Sequence, residues 1–127
     1  MSEKFEGFDP EIAALVASAD LTASGLRACL GHRTVDVGEG YMTAELDVRH
    51  ELLNPFGVAH GGVVSALVDH VVGAVLYPVM PRGSWAATTE FKINLLAPVR
   101  SDTLSARSGG QRCVPADRRG TNRCDLR

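Results

Sequence analysis

An α+β fold, in which one long apolar helix is enclosed by strands, is what this sequence of 127 residues predicts. Three observations carry that expectation. Residues 60–77 form an apolar run of helical length without a polar face. Residues 41–48 alternate between apolar and polar side chains, and a second strand-like stretch, 86–97, is closed by Pro98. The length suits one core, and no repeat or long linker divides the chain, so a single domain is expected.

The elements follow in order. Asp9-Pro10-Glu11 has the features of a helix start: a capping acid, a proline preset for the first helical position, and a carboxylate at the positive end of the dipole. The helix is expected to reach about Ser18. Leu26 to Val37 reads as a weak first strand, with alternation only near its end. Gly38-Glu39-Gly40 supplies a turn. From Tyr41 to Val48, Met42, Ala44, Leu46 and Val48 share one face, with Tyr41, Thr43, Glu45 and Asp47 on the other. Asn54-Pro55 and Gly57 mark a loop over Arg49–Ala59. The strongest helix runs from His60 to about Tyr77, where Pro78 and Pro81 prevent its extension. Phe91, Ile93 and Leu95 fall on one side of the strand expected from Ala86 to Ala97, and Asp102 to Arg107 opens another.

The long helix should not contain an acid. Val63, Val64, Ala66, Leu67, Val68, Val71, Val72, Ala74, Val75 and Leu76 surround it with hydrocarbon, so it must be buried on most sides. Asp69 sits in its middle. An ionised carboxylate buried without partners costs several kcal/mol, so it must be paired, protonated or beside a water-filled pocket. Of its neighbours three and four positions away, Ala66, Ser65 and Gly73 are small, which leaves room for a ligand. A narrow solvent edge at Asp69 and His70 is the alternative; the cost of burial and the small neighbours favour a functional acid. His60-Gly61-Gly62 precedes the helix, where unpaired N–H groups and the positive dipole end gather. Glycine there lets a carbonyl oxygen approach the backbone, as in an oxyanion hole.

Composition excludes several classes. Hydrophobic residues make up 45% and charged residues 22%, ordinary for a globular domain, and the net charge of −2 gives no reason to expect nucleic acid. Cys29, Cys113 and Cys124 form no CxxC pair, which fits free thiols in a reducing, cytoplasmic setting. Residues 1–10 lack the apolar run of a signal peptide, and the 63–80 stretch, broken by Asp69, His70 and Pro78, reads as a core helix rather than a membrane span. His32 and His50 lack ligand partners at metal spacing, so no metal and no cofactor are expected.

Asn54-Pro55-Phe56-Gly57-Val58-Ala59-His60-Gly61-Gly62, with Asp69 nine positions after His60, resembles the hotdog-fold thioesterase superfamily, particularly its phenylacetate-pathway branch. Thr88 to Pro98 resembles that family's long central strand. The resemblance implies an antiparallel sheet wrapped round one central helix. It also implies a homodimer or homotetramer, with the helix start of one subunit meeting the acid of another. The implied activity is hydrolysis of an acyl-CoA thioester. Gly61 N–H would hold the carbonyl oxygen with help from Asn54, and Asp69 would act as general base or nucleophile. Thr88 would orient the water, Thr89 replacing it if the strand register slips by one. His60 would set the loop and helix start. A non-catalytic acyl-CoA-binding module is the rival reading. A hotdog hydratase fits less well, because Asp69 lies on the helix, and the absence of GxSxG excludes a serine hydrolase.

Residues 1–107 form the expected domain core. Residues 108–127 depart from the family pattern: the segment from Arg107 onward holds six arginines and two aspartates, with no alternation. An altered reading frame after about residue 107 would produce such a tail, leaving the outer strands of the sheet incomplete.

Overall fold

The computed structural model describes residues 7–18, 24–109, 112–114 and 123–125. Helix α1, Pro10–Ser18, begins as its sequence requires. Asp9 Oδ1 accepts from the N–H of Glu11 at 3.0 Å and of Ile12 at 3.2 Å, satisfying two of the orphan donors of the first turn. Arg82 clamps the same end, donating to Asp9 Oδ2 at 2.7 Å and to Glu11 Oε2 at 2.6 Å. That guanidinium, with the backbone donors, holds the Asp9 carboxyl below its usual range.

Helix α2, Gly25–Leu30, replaces the first half of the strand expected from Leu26. It stops at Gly31, whose φ of 72° closes the helix in the left-handed conformation that glycine adopts without strain. Arg49 fills the capping role: its guanidinium donates to the carbonyls of Leu30 at 2.8 Å and Cys29 at 2.7 Å. Strand β1 is therefore shorter than expected, Arg33–Gly38, and a bulge between Thr34 and Asp36 turns Val35 out to solvent. Strand β2, Tyr41–Asp47, keeps the expected alternation: Met42, Ala44 and Leu46 are wholly buried. It pairs antiparallel with β1 on one side and with β3, Thr103–Ser108, on the other. The sheet order is β1-β2-β3.

Helix α3, Gly61–Ala74, lies across this sheet. Its residues Val63, Leu67 and Val71, continued by Val75, pack on Met42, Ala44 and Leu46 as one core with Leu30, Leu52 and Leu76. Burial on most sides was expected. Within one chain only this stripe is buried; Val64, Ala66, Val68 and Val72 remain half-buried. By composition and length alone residues 61–79 would suffice to cross a membrane, yet the stripe is packed inside the domain.

The strand expected at Ala86–Ala97 is not formed. These residues pair with no strand among the described residues, and Trp85, Phe91, Leu95 and Leu96 are exposed. Alternation prepares a segment for a sheet, but a strand exists only where a neighbour supplies hydrogen bonds. Here β3 pairs with β2 alone. The basic tail expected from residue 108 lies largely outside the described residues. Within it, strands β4, Arg112–Val114, and β5, Arg123–Asp125, pair with each other in a separate ribbon.

Candidate active site

The loop before α3 is built by its asparagine. Asn54 Oδ1 accepts from the N–H of Phe56 at 2.9 Å and of Val58 at 3.2 Å, while its own backbone N–H donates to Val58 O at 2.7 Å. Gly57, at φ 74°, takes the position in this turn that a side chain would strain. With Oδ1 used in this way, the side-chain NH₂ of Asn54 has no hydrogen-bond acceptor among the described residues.

The helix start has a defined donor pattern. His60 caps α3, its Nδ1 accepting from Gly62 N–H at 3.1 Å. The N–H groups of Val63 and Val64 both turn to His60 O. Gly61 N–H, the first of the helix, has no acceptor among the described residues. It is thus an available donor at the positive end of the helix dipole. Leu95 packs close to Gly61, its Cδ1 3.0 Å from where a Cβ on residue 61 would stand.

Gly61 and Asn54 line one groove of about 320 Å³, together with Val58, Ala59, Val64 and residues 95–99. The structure therefore brings two of the expected site residues together. His60 stands beside them, exposed, with its ring turned to the helix backbone. Asp69 and Thr88 are not in the groove wall. Thr88 and Thr89 are both exposed on the unpaired segment.

Asp69 is half-buried on α3. Its Oδ1 is sealed from solvent, and neither oxygen receives a hydrogen bond or ion pair from a described residue. Ser65, one turn earlier, does not serve it, because the hydroxyl donates to Gly61 O at 2.8 Å. A buried carboxylate oxygen without a donor is a polar atom whose partner is still to be supplied.

Behind Asp69 lies a feature the sequence reading missed. The rings of His32 and His70 stand 4.3 Å apart at a 40° tilt, with His32 Nδ1 and His70 Nε2 both buried and unpartnered among the described residues. Burial, aided by His32 and Arg27 and opposed by Asp69, pushes the His70 pKa down to about 4. The two residues are 38 positions apart, so no spacing signal joined them. Nor did the sequence reading identify Val64, Leu95 and Leu96 as groove residues; exposed leucines on an expected strand were the available signal. No group of three or more His, Cys, Asp or Glu among the described residues is placed to hold a metal ion.

Comparison with known proteins bears on the fold. Residues 56–109 match the sequence profile of the thioesterase superfamily. A Haemophilus influenzae protein named as a candidate esterase is 33% identical over 79 residues, 62% of this chain and 57% of its own length. The chain thus spans little more than half of that relative. A Halobacterium salinarum protein, likewise named a candidate esterase, is 28% identical over 78% of this chain and 69% of its own. A thioesterase structure from Haemophilus influenzae aligns with a TM-score of 0.66 at 25% identity, covering 82% of this chain and 79% of that one. The Escherichia coli PaaI protein of the phenylacetic acid degradation operon aligns with a TM-score of 0.67 at 23% identity, over 78% of this chain and 70% of its own, and shows the same fold.

Proposed function

We propose that this chain, whose residues 56–109 match the thioesterase superfamily profile and whose fold is the hotdog fold of its structural neighbours, hydrolyses an acyl-CoA thioester to the free acid and CoA. The observation that carries the reading is the pairing of two unsatisfied groups of opposite kind on α3: the acceptor-free N–H of Gly61 and the donor-free carboxylate of Asp69.

In the reaction proposed, the thioester carbonyl oxygen lies against Gly61 N–H, with the Asn54 NH₂ as a second donor. Charge that grows on that oxygen meets donors already oriented, at the positive end of the helix. Asp69 removes a proton from water as the water attacks the carbonyl carbon, or attacks that carbon itself. With Asp69 as base, the C–S bond breaks and CoA leaves as thiolate, which takes the proton that Asp69 received; with Asp69 as nucleophile, CoA leaves an acyl–Asp69 anhydride, which a water then hydrolyses to the free acid and the Asp69 carboxylate. Thr88 is the candidate for orienting the water. His60 holds the donor array in place through Gly62 rather than taking part as a base.

One chain does not complete this site. Gly61 and Asp69 are eight residues apart on one helix, too far to reach one carbonyl. The half-buried side of α3 and the unpaired, apolar 85–97 segment are surfaces that a second copy would cover. The proposed form is accordingly a cytoplasmic homodimer or homotetramer whose subunits exchange acid and oxyanion donor.

The test is turnover of a panel of short, aromatic and long acyl-CoAs by wild type and Asp69→Ala. General-base or nucleophilic catalysis predicts a loss of about 10²–10⁴-fold in kcat/KM with binding retained. Equal turnover by the two proteins with every substrate would overturn it. Binding without turnover by wild type would mark the chain as an acyl-CoA-binding module.

A further inference from the structure

Strands β4 and β5 form a ribbon of three residues a side that joins no other strand among the described residues. An isolated two-stranded ribbon this short is marginal in water, so its pairing calls for a further tie. The register offers one. Cys113 stands opposite Cys124 at the central position, with Arg112 opposite Asp125 on one side and Val114 opposite Arg123 on the other. Opposite charges at facing positions favour this alignment. Residues directly opposite in an antiparallel pair have Cα atoms about 4.5 or 5.5 Å apart, according to the kind of pair. Both separations fall within the range of about 4.4–6.8 Å that a disulfide spans. No spacing motif announces the pair: the two cysteines are 11 positions apart, and only the ribbon makes them neighbours.

We propose that Cys113 and Cys124 are a redox site: they close into a cross-strand disulfide that ties β4 to β5, and open again when thiol reductant prevails. The segment from Arg107 onward carries six arginines against two aspartates, a charge that draws an anionic oxidant such as oxidised glutathione. One cysteine thiolate attacks the glutathione disulfide, whose S–S bond breaks, and one glutathione leaves. The second cysteine thiolate attacks the mixed disulfide, and the other glutathione leaves. The two cysteines thereby lose two electrons, two protons pass with them, and the oxidant becomes two glutathione thiols. In a reducing compartment the pair rests as free thiols; the ribbon is fastened when the glutathione pool is oxidised. Cys29 has no such partner, being a free thiol exposed on α2, outside any strand.

The test equilibrates the full chain with glutathione at rising ratios of oxidised to reduced form, quenches with acid, alkylates, and maps the thiols by trypsin digestion and mass spectrometry. Cleavage after arginine separates Cys113, in the peptide CVPADR, from Cys124, in CDLR, so a disulfide between them appears as one joined pair of peptides. That pair is expected as the main disulfide, formed within one chain at every protein concentration, with Cys29 free or carrying glutathione. A second protein, Cys124→Ser with Asp125→Cys, moves the thiol one position along β5. The closed loop lengthens by one residue, which alone changes closure less than about twofold. Successive residues of a strand alternate between its faces, so the moved cysteine leaves the position opposite Cys113. The equilibrium constant for its disulfide with Cys113 is expected to fall at least about tenfold. Equal constants in the two proteins would mean chance encounter along the chain rather than a register, and would overturn the assignment. So would disulfides that take in Cys29 as often as Cys124, or uptake of glutathione on Cys113 and Cys124 without their joining.

Discussion

Gly61 and Asp69 stand eight residues apart on α3, which separates the free N–H at the helix start from the acid's backbone by about 12 Å of helical rise. The carbonyl of a thioester spans no such distance. Both groups are nonetheless unsatisfied among the described residues, one lacking an acceptor and the other a donor. On the proposed reading each is half of a site, and the arrangement of the two on one rigid rod predicts the behaviour of several variants.

Gly61→Pro removes the donor while keeping the helix start, and Gly61→Ala, which sets the same Cβ against Leu95 Cδ1 but retains the N–H, is its control. Proline is favoured at the first helical position, where its missing N–H breaks no backbone bond. The preceding residue already has the extended conformation that proline demands, His60 lying at φ −59° and ψ 136°. Loss of one oxyanion donor predicts a fall of about 10²–10³ in kcat. Circular dichroism and thermal unfolding should show the fold intact. Near wild-type kcat would remove Gly61 N–H from the mechanism.

His60 acts on stability more than on chemistry. His60→Ala deletes the acceptor for Gly62 N–H and is expected to cost about 1 kcal/mol in urea unfolding. His60→Asn, which also caps, should recover most of it. If alanine and asparagine unfold at the same urea concentration, the cap contributes nothing measurable.

The His32–His70 pair predicts an acid-sensitive fold. The His70 pKa in the folded chain is pushed down from 6.5 to about 4, first by burial and then by His32 and Arg27. The unfolded chain therefore binds the proton more readily. Stability is complete above pH 6.5 and falls as the pH drops toward 4. His70→Phe keeps a ring in place and removes the titration, so the urea midpoint of this variant should decline less between pH 6.5 and 4. Parallel pH profiles for the two proteins would dissociate His70 from acid unfolding.

Much of this was readable in the residues, for identifiable reasons. Asp9-Pro10-Glu11 and His60-Gly61-Gly62 mark helix starts because capping is local chemistry, decided within four residues. Strand β2 was legible because one face is buried and the other is not, so period two is written into Met42, Ala44 and Leu46. Residues 26–30 were misread as strand. Six residues are too few for a helical period to emerge, although Gly31 offered a stop signal. Residues 86–97 carry a strand's pattern without being a strand in this chain, since pairing depends on a neighbour. For the same reason the sequence singled out Asp69 but not its place: the groove wall holds Asn54 and Gly61, with Asp69 outside it.

The most direct measurement mixes two disabled proteins. Co-expressed Asp69→Ala and Gly61→Pro chains form mixed dimers in which one of the two sites combines an intact Gly61 N–H from the first chain with an intact Asp69 from the second. With random pairing, half of the dimers are mixed, and thioester hydrolysis should return to about a quarter of wild type although each variant alone is nearly inactive. A mixture no more active than its components, under conditions where sedimentation shows the subunits paired, would contradict a site shared between two copies of α3.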